Sequence, residues 1–70
     1  MIAHVSSFDA LDDDELHELK IHAADWMAEA AHGYETTGSA ASWRLSWEFH
    51  DLHIELRREL QARKARRAAA

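Results

Sequence analysis

The chain has 70 residues, with 13 acids against 8 Lys and Arg for a formal net charge of −5, six histidines, no cysteine and no proline. That length allows one domain with a small core, and the lack of cysteine excludes disulfides and thiolate metal sites, so association is the expected source of the missing stability. No apolar run approaches the ~20 residues of a membrane span, and Met1–Ser7 lacks the basic and apolar segments of a signal peptide, so a cytoplasmic protein is expected.

The first element starts at a clear signal. Asp12-Asp13-Asp14-Glu15 fits a capping box, with Asp12 accepting from the backbone and Glu15 reaching back, and Leu11 and Leu16 stand where a hydrophobic staple would close. The clustered acids suit the positive end of a helix dipole. Leu16, Leu19, Ala23, Trp26 and Ala30 then recur at spacings of three and four, one narrow apolar stripe with Met27 at its margin. Gly33 after His32 reads as the stop. These signals predict a helix over 12–32 and a loop over 33–38.

Ser39 is an N-cap candidate for the second segment, predicted as a helix over 39–66 with a frayed tail over 67–70. Its pattern is double-edged. Trp43, Leu45, Trp47 and Phe49 alternate with polar residues, as do Leu52, Ile54 and Leu56, which taken alone is a strand pattern. Against a strand, His50-Asp51 is a poor two-residue turn, Ile54 is the only β-branched residue of the run, and residues 55–63 strongly favour helix. On a helical wheel Leu45, Phe49, Leu52, Leu56 and Leu60 share one face. Trp43, Trp47 and Ile54 fall nearly opposite, with His50 beside them. One helix cannot cover both faces.

The expected fold is therefore all-α. Residues 1–70 form a single antiparallel two-helix hairpin, the leucine face packing on the first helix and the tryptophan face available for dimerisation into a four-helix bundle or for a separate protein, with ordinary packing within the chain as the remaining alternative. Trp is strongly enriched among binding hot spots, which makes Trp43, Trp47, His50 and Ile54 the candidate partner-binding residues.

Charge follows the same plan. Residues 1–40 hold nine acids and only Lys20, whereas residues 41–70 hold seven bases and four acids. Folding back would set the basic end of the second helix beside the acidic start of the first. Arg57, Arg58, Arg63, Lys64, Arg66 and Arg67 are then either a screened helix end or a contact for an acidic partner or nucleic acid. An overall acidic chain with no aromatic interleaved among these bases does not favour nucleic acid. The acidic cluster Asp9, Asp12–Glu15 and Glu18 lacks the glycine turn and distal Glu of a calcium loop and is explained by capping.

Glu29 and His32 have the Glu-x-x-His spacing of di-iron bundles but point away from the apolar stripe. His50 and His53 stand one turn apart, a weak zinc signal, and an interface role for His50 is the simpler expectation. There is no Gly-rich phosphate loop, no nucleophile elbow and no cysteine nucleophile, so neither an enzyme, a cofactor nor a small-molecule substrate is expected. Fourteen alanines and an Arg to Lys ratio of six to two suit GC-rich coding. Small acidic helical chains of this kind look like accessory proteins of phages or mobile elements. The functional expectation is an interaction module that binds and modulates a larger protein, with a small metal- or nucleic-acid-binding regulator as the alternative.

Overall fold

The computed structural model describes residues 8–69; the expectations for Met1–Ser7 and for Ala70 lie outside them. Helix α1 spans Asp13–Thr37, 25 residues, and helix α2 spans Ala40–Ala69, 30 residues. They lie antiparallel in a rod of 50 × 26 × 15 Å, the length that a 30-residue helix at about 1.5 Å per residue requires.

The start of α1 forms as its sequence dictates. The Glu15 amide donates to Asp12 Oδ1 at 2.8 Å, and the Asp12 amide donates to Glu15 Oε1 at 2.9 Å, so both halves of the capping box are made. Leu11 packs against the cluster that holds Leu16, as a staple should. Ahead of it, Phe8–Ala10 form a turn of 3-10 helix that brings Phe8 onto the same cluster.

The end of α1 differs from expectation. Gly33 does not stop the helix, which continues through Thr37 to Gly38. Gly38 has φ +70, the left-handed conformation that glycine adopts without steric cost, and its amide donates to the Tyr34 carbonyl at 2.7 Å. Thr36 and Thr37 hydroxyls donate back to the carbonyls of His32 and Gly33, so this last turn is held by side chains despite two β-branched residues. Gly33 instead faces α2 beside the turn, where a Cβ would stand 3.2 Å from Ser42 Oγ.

Only Gly38 and Ser39 separate the helices, not a loop over 33–38. Ser39 caps α2, its hydroxyl accepting from the Ser42 amide at 3.2 Å. The segment 43–56 is helical, and α2 runs beyond 66 to Ala69 rather than fraying at 67. Alanine and arginine favour helix there, and Arg67 is tied to α1 by a 2.7 Å bond to Asp13.

Where the helices meet, Leu16, Ala23 and Leu56 are fully buried, with Phe8, Leu11, Leu19, Leu52 and Leu60 packed around them. Burying each leucine side chain contributes about 1.5–3 kcal/mol, so this is a small core. It lies away from the turn. Leu45, expected to share the face of Leu56, remains 44% exposed. Beside the short connection two small residues, Gly33 and Ser42, face each other across the interface.

Candidate protein-interaction surface

The two ends of the rod differ in chemistry. At the end remote from the turn, Arg63 of α2 donates to the Phe8 carbonyl at 2.6 Å, the Leu11 carbonyl at 2.7 Å, Asp13 Oδ1 at 3.2 Å and Glu59 Oε2 at 2.9 Å. Arg67 bonds the other oxygen of Asp13, and Arg66 stands 3.5 Å from Glu59. The hydrogen bond from Arg63 holds the Asp13 carboxyl below the ordinary aspartate range, against an opposing desolvation effect and with further help from Arg67. Glu59 first, and Asp13 second, hold the Arg63 guanidinium charged.

Half of the candidate basic cluster is therefore occupied within the molecule. Arg63, Arg66 and Arg67 line a shallow depression with Asp9, Leu11, Asp13 and Glu59, in which acids offset the bases. Arg57, Arg58 and Lys64 are exposed and make no ion pair among the described residues.

The turn end is aromatic. Trp43 and Trp47 are each 50% exposed, with ring centroids 5.9 Å apart in an edge-to-face arrangement. His50 continues the stack, 5.3 Å from Trp47 and nearly perpendicular to it. Its Nδ1 is shut off from solvent with no hydrogen-bond partner among the described residues; the Asp51 carboxylate is 3.7 Å away. Ile54, one turn further along α2, is half-buried.

These residues do not lie wholly opposite α1, as the helical wheel implied. Trp43, Ser46, Trp47 and His50 form one wall of a groove of about 370 Å³, and Met27, Ala31, Tyr34 and Glu35 of α1 form the other. The Tyr34 and Trp43 rings, 6.5 Å apart, close its end near the turn. Long aromatic side chains reach sideways past the helix axis, so a wheel that places only Cα positions exaggerates their separation from α1. The α1 wall was missed because Gly33 read as a helix stop, which put Tyr34 in a loop. Once α1 continues, Met27, Ala31 and Tyr34 recur at four and three, and that spacing was the available signal.

On the other flank, Trp26 of the predicted apolar stripe lies outside the buried core. It is 39% exposed, its ring 5.5 Å from Phe49 and stacked on His22 at 5.6 Å. Glu29 and His32 are exposed, and among the described residues no group of three His, Cys, Asp or Glu is placed to hold a metal ion. No helix among the described residues is long and apolar enough to cross a membrane.

No protein-family model matches this chain, and no curated protein or solved structure is significantly similar to it.

Proposed function

We propose that this chain is a protein-interaction module, a helical hairpin that binds and modulates another protein through Trp43, Trp47, His50 and Ile54, with two copies able to join as a four-helix bundle. The observation that carries this is the half-exposed Trp43–Trp47 pair walling an apolar groove. Two tryptophans one turn apart on a rigid helix supply large contact area at little conformational cost, the composition of an interface centre. The small core supports the same conclusion, because a hairpin this size gains further stability by covering such a surface. At the other end, acids of this same chain already engage Arg63, Arg66 and Arg67, which leaves the aromatic groove as the better-defined contact surface.

The test compares wild type with a Trp43→Ala, Trp47→Ala double variant. Helicity by circular dichroism should persist, since both side chains are half in solvent. A partner purified after capture by the wild type should bind it in calorimetric titration and fail to bind the double variant. Equal binding by both, or loss of helicity in the double variant, refutes the assignment.

A further inference from the structure

Resting on that assignment of the aromatic face, we infer that its partner is a second copy of this chain, with the two α2 helices packed antiparallel about a two-fold axis between Trp47 and His50. The spacing of residues carries the argument first. Trp43, Trp47, His50, Ile54, Arg57 and Gln61 follow one another at four, three, four, three and four, the repeat of a coiled-coil seam. It is distinct from the seam that α2 presents to α1 through Ser42, Phe49, Leu56 and Arg63, spaced by sevens. Helix α2 thus carries two seams, and α1 occupies one.

Charge then selects the partner and its register. An antiparallel pair about this axis sets Trp43 against the second copy's Ile54, and Trp47 against the second copy's His50. The exposed residues beside the seam are Arg44 and Asp51, and in this register each meets the other across the interface, twice by symmetry. Beyond the apolar segment, exposed Arg57 and Arg58 reach the second copy's turn end, where Glu35 lines the groove and the carbonyl end of α1 has no basic residue in its last turn.

The alternatives fare worse. Sliding by one heptad brings Arg44 against the second copy's Arg58 and the two Asp51 against each other. A parallel, in-register pair buries Arg57 against Arg57 in the seam, where neither has a counter-ion. One face that is apolar where it meets itself, and of opposite charge along its edges only when reversed, is self-complementary, the property of a two-fold interface.

Sedimentation equilibrium tests this on four proteins of matched helicity: wild type, Trp47→Ala, Asp51→Arg, and the double variant Arg44→Asp with Asp51→Arg. Wild type should be a dimer. Trp47→Ala should weaken it about thirtyfold or more, as loss of a hot spot at a symmetric centre does. Asp51→Arg should weaken it roughly tenfold, as two exposed pairs become two repulsions. The exchanged-charge double variant should recover to within about threefold of wild type. A monomeric wild type overturns the second copy as partner, while tryptophan-dependent binding of a different protein would still stand. A dimer indifferent to Trp47→Ala overturns the face itself. A dimer that is weakened by Asp51→Arg but not rescued overturns the register.

Discussion

Substituting each of the two glycines by alanine separates the structure from the simplest reading of the sequence, because the two changes should have opposite signs. At Gly38, φ is +70 and nothing stands within 4 Å of an added Cβ, so the effect is purely conformational. Forcing an L-residue into the left-handed region costs about 1–2 kcal/mol, partly offset by about 0.4–1 kcal/mol from the reduced freedom of the unfolded chain. A net loss near 1 kcal/mol is expected. At Gly33 the backbone is helical, so alanine removes the glycine penalty of about 0.5–1 kcal/mol. The new Cβ meets Ser42 Oγ at 3.2 Å and Ser42 Cβ at 3.6 Å, and the hydroxyl can rotate aside because it makes no hydrogen bond among the described residues. A net gain of about 0.5 kcal/mol remains. Thermal melts followed by circular dichroism resolve both, since 1 kcal/mol moves the midpoint of a domain this small by about 4–8 °C. If Gly33→Ala destabilises as much as Gly38→Ala, α1 ends at Gly33 in solution and Tyr34 leaves the groove.

Leu56→Ala should cost about 2–4 kcal/mol in urea titration, whereas Leu45→Ala, at a position 44% exposed, should cost less than half as much; equal costs would place Leu45 in the core. Asp12→Ala should lower stability by about 1 kcal/mol through loss of the capping box, read from the same titration. Because the carboxyl of Asp13 titrates below its ordinary range when folded, its contribution is complete above about pH 4 and is lost as the pH falls through the lowered value. Asp13→Asn should therefore be less stable than wild type at neutral pH and converge on it in acid, and a constant gap from neutral to acid pH would contradict the pairing.

Much of the fold was legible because its signals are local. The capping box at Asp12 and Glu15 specifies where α1 begins without reference to anything beyond Leu16, and it forms as read. The approach of the basic helix end to the acidic one follows from the hairpin and the charge distribution, and the Arg63 and Arg67 bonds to Asp13 realise it. Gly33 was misread because glycine has two uses. A missing Cβ permits positive φ, and it also permits close packing; only the position of Ser42 across the interface tells which applies. The strand-like alternation of Trp43 to Phe49 arises because the tryptophans belong to one helical seam and Leu45 and Phe49 to another, and two interleaved seams mimic a period of two. Leu45 illustrates a limit of wheel reasoning. It lies on the leucine face of the wheel, yet beside the two-residue connection it stays 44% exposed, because the buried core is centred on Leu16, Ala23 and Leu56 away from that end.

The Arg63 clasp also bears on how the hairpin comes together. The contacts cheapest to form are those beside Gly38, where few residues separate the partners, yet that end has the thinnest core. The charged ties, from Arg63 to Phe8 and Leu11 and from Arg67 to Asp13, join residues more than 50 apart in the chain. A zipper that started at the turn would therefore climb in free energy until it was almost shut, because the ordering entropy comes first and the compensating contacts last. Half-closed forms are disfavoured on both counts, and two helices that look able to peel apart gradually should instead open all at once.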